Sequence, residues 1–401
     1  MPGGRPSHPA FFPLTRMPSP SSTAGIYIHL PFCRRRCPYC DFYSEVGTER
    51  HRRHFLAALH QELILRANRD LAADSIYFGG GTPSLFAPAQ IDGLIEGISK
   101  LFHLSTDSEI TLEANPGTVT RNTLEGYRAA GVNRLNLGIQ SFNDRNLALL
   151  GRIHDARAAR RALAAARAAG FDDIGIDLIY GLPGQDPENW QADLQAALEA
   201  TPAHLSGYML TYAPGTRLEA DRIAGRIRPL PEAAVADLFD ITVQVLTENG
   251  FVHYEIANFA RAGTPPAWSR HNRKYWNQAP YLGFGPGAHS YDGRVRRWNH
   301  ADLGTYLQAL ENGHRPPGGE ETLTREQQMI EAVFLGLRQT AGMDIEEFET
   351  RFGVQFETLF GPALVDPVGA GLAVLGKGSC RLTRKGLLVA DAVAARLATC
   401  C

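Results

Sequence analysis

The chain lacks a long hydrophobic run, a strong excess of either charge and any abundance of cysteine, and each shortage removes a class of explanation. No apolar stretch approaches the roughly 20 residues that a membrane-spanning helix requires, so the 44% of hydrophobic residues is expected to form a folded core. The net charge is only −2, from 40 basic and 42 acidic residues, and the basic residues are scattered. Electrostatics therefore gives no case for nucleic acid as a partner. A secretory signal is also missing. Segment 1–24 is rich in Pro, Ser and Gly, carries two arginines and no acid, and has neither an apolar h-region nor an A-x-A site. Its composition reads as disordered, and the expected location is the cytoplasm. Six cysteines are few for 401 residues, yet Cys33, Cys37 and Cys40 lie within eight positions, while Cys380, Cys400 and Cys401 fall near the end. In a reducing compartment such thiols stay free to bind metal rather than pair.

What is present is a regular alternation. A β-type run, Ile26 to Leu30, precedes the cysteines, and a helical pattern covers about Arg50 to Arg69. Strands are then expected at Ser75–Phe78, Glu109–Ala114, Arg134–Gly138, Ile174–Ile179 and His204–Leu210. The helices between them are expected at Pro88–Phe102, Arg121–Ala130, Ala156–Ala169 and Glu188–Glu199. Six strands alternating with helices imply right-handed crossovers and a parallel α/β sheet, as an open doubly wound sheet or a closed or partial barrel. Cys33–Cys40, Gly79–Thr82, Glu113, Gln140 and Asp177 all stand at or just beyond a strand's C-terminal end, the edge where such folds bind ligands. Further on, a helix is expected over Glu232–Asn249 and a strand over Val252–Ile256. A loop-rich aromatic region, Asn258 to His300, follows, then a linker at Pro316–Gly319. Beyond it come helices at Thr324–Arg338, Ile345–Phe352 and Phe356–Leu364, a hairpin at Leu375–Leu382 and a last helix at Lys385–Leu397. Together these suggest a small winged-helix-like domain over 320–401.

Three cysteines in a C-x3-C-x2-C spacing could serve zinc, a disulfide or an iron–sulfur cluster. Structural zinc takes four closed ligands, usually as two separated pairs. No second pair is nearby, and His29, His51 and His54, the possible fourth ligands, do not stand at the usual spacing. A disulfide leaves one cysteine over. Three thiolates on a four-iron cluster leave one iron with an open coordination position, which a chemically active cluster needs.

This spacing behind a strand of a βα protein resembles the radical S-adenosylmethionine superfamily, which implies a partial (β/α)6 TIM-like barrel over 25–315. The run YIHLPFCRRRCPYCDF, followed by FGGGTPS, EANPGT, LGIQSF, LGRIH and DLIYGLPGQ, resembles its coproporphyrinogen dehydrogenase branch from Gly25 onward. The resemblance implies a [4Fe–4S] cluster on Cys33, Cys37 and Cys40. It also implies S-adenosylmethionine on Gly80, Gly81, Thr82, Glu113, Gln140, Arg152 and Asp177, with Tyr27 and Tyr39 flanking cluster and cofactor. The residues are compatible with this: glycines let backbone approach a ligand without a Cβ in the way, although a strand-to-helix turn needing positive φ would use them too.

The oxygen-independent coproporphyrinogen III oxidase of that branch continues its motif to a fourth cysteine two residues on and has a long N-terminal extension. This chain instead reads Cys40-Asp41-Phe42 after a short leader. Both departures match the HemW-type haem chaperones, as does His271-Asn272-Arg273-Lys274-Tyr275-Trp276. That resemblance implies haem as cargo, a haem-accepting protein as partner, and at most peripheral membrane contact; the radical oxidase is the alternative. His271, Tyr275 and Trp276, in an insertion over 258–300, are then the haem candidates, with His289 a weaker one. Imidazole ligates haem iron and aromatic rings offer it flat contact, although a histidine beside tryptophan is also a common buried residue.

Overall fold

The computed structural model describes residues 23–263 and 265–401. The expected disordered segment therefore lies outside them, apart from Thr23 and Ala24. Six parallel strands form the centre: β1 (Ala24–Leu30), β2 (Asn68–Gly80), β3 (Phe102–Ala114), β4 (Arg134–Gln140), β5 (Asp173–Tyr180) and β6 (His204–Met209). Along each, side chains alternate between two faces. Ile26, Ile28, Ile76, Phe78, Leu112, Leu135, Leu137, Ile176 and Leu205 are buried in one continuous core with Phe55, Leu59, Leu94, Leu163 and Leu194 of the crossover helices. The opposite face carries Tyr27, Tyr77, Thr111, Glu113, Asn136, Asp177 and Ser206. The register pairs Tyr27 with Tyr77, Tyr77 with Thr111, Glu113 with Asn136, and Asp177 with Ser206. The inner face of the curved sheet is thus polar.

Several expected elements differ. The first helix ends at Leu65 rather than near Arg69, and β2 begins at Asn68. Both β2 and β3 run seven residues below the expected start of their strands, where they pair with each other through irregular register. The region read as loop-rich contains β8 (Asn258–Arg261), which follows β7 (Phe251–Glu255), and then the Arg270–Trp276 helix. After these come β9 (Tyr281–Phe284), β10 (His289–Tyr291) and β11 (Val295–Asn299). β9 lies parallel against β1, making a seventh parallel strand too short to announce itself by periodicity. The Gly318-Gly319 pair, read as linker, opens β12 (Gly318–Thr322) on the edge of the same sheet. It is glycine because Trp298 crowds it: a Cβ on Gly319 would stand 2.3 Å from the Trp298 ring.

The finished sheet has twelve strands in the order β12-β11-β10-β9-β1-β2-β3-β4-β5-β6-β8-β7. The C-terminal part follows with helices Arg325–Leu337, Ile345–Phe352 and Phe356–Gly369, a three-stranded sheet, and two short helices, Arg384–Leu387 and Ala390–Ala398, where one was expected. It is tied to both ends of the sheet, by the buried Glu255 carboxylate of β7, which meets Arg338 at 2.7 Å, and by Arg296 of β11, which meets Glu331 at 2.8 Å. Among the described residues no helix is long and apolar enough to cross a membrane.

Candidate functional site

At the C-terminal ends of the central strands the inner face opens into a cavity of about 440 Å³. Cys33, Cys37, Tyr39, Cys40, Gly80, Gly81, Thr82, Glu113, Gln140, Arg152 and Asp177 all line it, so one cavity gathers all three cysteines and every residue expected at S-adenosylmethionine except Tyr27. The cysteine loop is fastened from opposite sides. Thr82 hydroxyl donates to Cys33 Sγ at 3.4 Å, and Arg152 Nη1 donates to Cys37 Sγ at 3.4 Å and to the Tyr39 hydroxyl at 3.3 Å. Burial pushes the Cys40 thiol up to about 11, so it holds its proton at neutral pH until a metal displaces it.

The strand ends are shaped for close approach. Gly80 has φ +106°, and a Cβ there would stand 2.6 Å from the His29 ring, while one on Gly81 would meet Phe32 backbone at 2.7 Å. Gln140, a non-glycine residue, also takes a left-handed φ of 71° at the end of β4, a strained conformation of the kind concentrated at binding sites. Two carboxylates face each other across the cavity floor. Burial raises Glu113 to about 7 and Asp177 to about 6, against the opposing hydrogen bonds each accepts. Tyr77 donates to Glu113 Oε1 at 2.7 Å and Asn136 Nδ2 to Asp177 Oδ2 at 2.6 Å.

Three buried polar atoms of this cavity, Gln140 Oε1, Arg152 Nε and Asp177 Oδ1, have no partner among the described residues. Such groups are costly unless something else satisfies them. A cationic donor, an anionic acceptor and an amide acceptor placed around glycine backbone fit a zwitterionic amino acid with a ribose attached, as S-adenosylmethionine is. The cysteines fit a cluster better than a lone ion. Three thiols around one open cavity suit a four-iron cube, which takes thiolates at separate corners and leaves one open, whereas structural zinc closes four ligands around itself. The histidines considered as fourth ligands are engaged elsewhere: His29 with Tyr27 hydroxyl and Tyr43 O, His51 in the cap of the first helix, and His54 with Glu311.

Tyr27 lies one layer below the cavity. Its hydroxyl meets His29 Nδ1 at 3.1 Å and its ring lies against Tyr77 at 6.2 Å. His271, Tyr275 and Trp276 are not brought to the cavity either. The Arg270–Trp276 helix plugs the opposite, N-terminal end of the barrel, with the backbone N–H groups of Arg270 and His271 donating to Glu109 at 2.8 and 2.9 Å. His271 is fully buried and both ring nitrogens are engaged, Nδ1 with Ser75 Oγ at 3.0 Å and Nε2 with Tyr275 hydroxyl at 2.9 Å. Burial, and then Lys274, lowers its pKa to about 3, so it is a neutral imidazole here. Trp276 packs edge-on to Tyr254, and His289 stacks on Trp298 at the far edge of the sheet.

The structure adds residues not singled out from the sequence. Asn136 holds Asp177, and its place two residues before Gly138 on the inward face of β4 was the available signal. Arg35, Arg36, Tyr208 and Met209 also line the cavity, beside Phe42 of the cysteine loop. Phe42 is 65% exposed and Met209 49%, leaving apolar surface at its edge.

Comparison with known proteins agrees with this geometry. Residues 27–197 match the radical SAM superfamily and residues 323–389 the HemN C-terminal domain. The heme chaperone HemW of Bacillus subtilis (strain 168) is 34% identical over 370 residues, 92% of this chain and 97% of its own length. HemW of Escherichia coli (strain K12) is 39% identical over 68% of this chain and 72% of its own. Among solved structures, coproporphyrinogen III oxidase (HemN) from Escherichia coli, a radical SAM enzyme, superposes with a TM-score of 0.81 at 27% identity. That match covers 96% of this chain and 92% of the other. Because sequence identity runs through both the cysteine barrel and the C-terminal domain, the chain belongs to the HemW family of the radical S-adenosylmethionine superfamily.

Proposed function

We propose that this protein is a cytoplasmic haem chaperone: it binds haem, carries a [4Fe–4S] cluster with S-adenosylmethionine, and passes haem to an acceptor protein. The observation that carries the reading is Phe42, exposed at the cavity edge, in the position where the related oxidase continues to a fourth cysteine, in a chain otherwise similar along its length to proteins named heme chaperones. When bound, the cluster offers S-adenosylmethionine one open iron. Cys33, Cys37 and Cys40 would hold the cluster. Arg152 would take the cofactor's carboxylate, while Glu113, Asp177 and Gln140 would accept from its ammonium and ribose. Gly80, Gly81 and Thr82 would supply backbone and hydroxyl contacts.

His271 remains our candidate for haem iron, with Tyr275 and Trp276 beside the porphyrin. Ligation requires the Arg270–Trp276 helix to leave the barrel base, because the imidazole has no free nitrogen while it is seated. On this reading haem uptake is a conformational event that needs the helix released.

The likeness in fold to an oxidase that acts on coproporphyrinogen supports a second reading, radical oxidative decarboxylation of that porphyrinogen. Anaerobic reconstitution followed by haem titration separates the two. We expect stoichiometric haem uptake and no protoporphyrinogen from coproporphyrinogen III; absence of any haem uptake would overturn the chaperone reading, and porphyrinogen turnover would favour the oxidase.

A further inference from the structure

The Glu113 carboxylate is held from below by a phenol. Tyr77 is on the neighbouring strand, two residues before Gly79, with its ring inside the barrel and its hydroxyl 2.7 Å from Glu113 Oε1. Gly79 leaves the space for this contact: a Cβ there would stand 3.0 Å from both Tyr27 and Tyr77 and 3.3 Å from the Glu113 carboxyl carbon. The Tyr77 ring is itself held between two aromatic neighbours. Tyr27 stacks on it at 6.2 Å and His271 at 5.1 Å with an interplanar angle of 29°. His271 is in turn pinned by Ser75, Tyr275 and, through its backbone, Glu109. A continuous packed column therefore runs from the plugged base of the barrel to the cofactor cavity.

We infer that Tyr77 is a positioning residue of the cofactor cavity, fixing the Glu113 carboxylate for S-adenosylmethionine, and that His271 steadies Tyr77 from the barrel base. The inference rests on the reading of this cavity as the S-adenosylmethionine site. Burial alone would leave Glu113 free to rotate away or keep a proton; a phenol donating to one oxygen favours the charged form and fixes the plane of the other. The groups facing Glu113 are Tyr77 on β2, Asp177 on β5 and the Gly80 backbone N–H, with Tyr27 on β1, Tyr208 on β6 and Tyr275 on the plug helix farther off. Among the described residues Tyr77 donates a hydrogen bond to it and the Gly80 N–H faces it, and both favour its charged form. Asp177 opposes that form, so removing Tyr77's donor leaves the carboxylate with a like charge and one fewer partner.

The test is equilibrium binding of S-adenosylmethionine to the anaerobically reconstituted full-length protein across pH. Tyr77→Phe keeps the ring and its packing and removes only the donor. It should weaken binding about tenfold, the usual worth of a hydrogen bond to a buried charged group. It should also move the acid limb of the binding profile to higher pH, because the carboxylate takes its proton sooner without Tyr77. Iron and sulfide content should not change. Glu113→Gln should weaken binding at least as much, and adding Tyr77→Phe to it should cost nothing further. His271→Ala should weaken binding a few-fold and His271→Phe, which restores a ring against Tyr77, should recover it. Binding by Tyr77→Phe within twofold of the parent with an unmoved acid limb would overturn the inference alone, as would loss of the cluster in that variant. A parent protein that takes up its cluster but binds no S-adenosylmethionine would overturn the cofactor reading with it.

Discussion

The two ends of the barrel are built from the same strands and differ in how their candidate ligands are engaged. At the C-terminal end, Gln140, Arg152 and Asp177 each leave a buried polar atom without a partner among the described residues, and Gln140 is held at a left-handed φ. At the base, Glu109 accepts two backbone N–H groups, and His271 has a partner on each ring nitrogen. Unsatisfied groups held in a rigid frame mark a place for a ligand. Satisfied ones mark a closure that must be opened before it binds anything. Two motifs of similar chemical promise, one of cysteines and one of histidine and aromatics, therefore play different parts in the same conformation.

The largest effect we expect is at the cluster. Cys33→Ser, Cys37→Ser or Cys40→Ser should each abolish the visible absorption of the anaerobically reconstituted protein, whereas Cys400→Ser and Cys401→Ser should leave it intact; a cluster surviving Cys37→Ser would remove that thiol from the ligand set. Next, Asp177→Asn should separate function from stability. Burial holds Asp177 at about 6 in the fold, against an ordinary aspartate in the unfolded chain, so its charge costs stability above that pH and the cost disappears as pH falls from 6 towards 4. The amide should raise apo-protein stability at pH 7 by on the order of 2 kcal/mol while weakening S-adenosylmethionine binding. A melting curve that drops instead would show the carboxylate to be structural.

At the base, Glu109→Ala removes the acceptor of two helix N–H groups and should cost about 1 to 2 kcal/mol. If the plug must leave for His271 to reach haem, the same variant should take up haem faster in stopped-flow absorbance, and an unchanged rate would break the link between plug and uptake. The smallest effect concerns Gly80→Ala, where the left-handed φ and the His29 ring oppose a methyl group. S-adenosylmethionine affinity should fall about tenfold with the base unaffected, and equal loss of haem uptake would mean the two ends are not separate.

Much of this was legible in advance. The six central strands and their helices follow from period-2 and period-3.6 patterns strong enough to place most boundaries within a few residues. Tyr39 and the cysteines, glycines, Glu113 and Gln140 lie on strand ends or the turns after them, where a parallel sheet brings its C-terminal edges together whatever the loops do, and Asp177 lies in the second half of β5; Arg152 reaches the same edge from beyond the short helix Asp144–Leu149. β9 through β12 were not legible, because strands of three to five residues are fixed by the neighbour they pair with and carry too little periodicity of their own. Gly318 and Gly319 read as part of a linker because sequence does not show Trp298 lying across them.

The sequence by itself determined the βα order, the cysteine spacing and the chemistry available at each strand end, since these depend on local pattern and on the fixed geometry of parallel crossovers. Only the tertiary structure decided that Tyr27 supports the cavity from beneath, that Asn136 and Tyr77 orient its two carboxylates, and that His271 is sealed in the opposite end of the barrel. Those assignments depend on which side chains meet across strands far apart in the chain, and a side chain's partners, unlike its chemistry, are set by the packing around it.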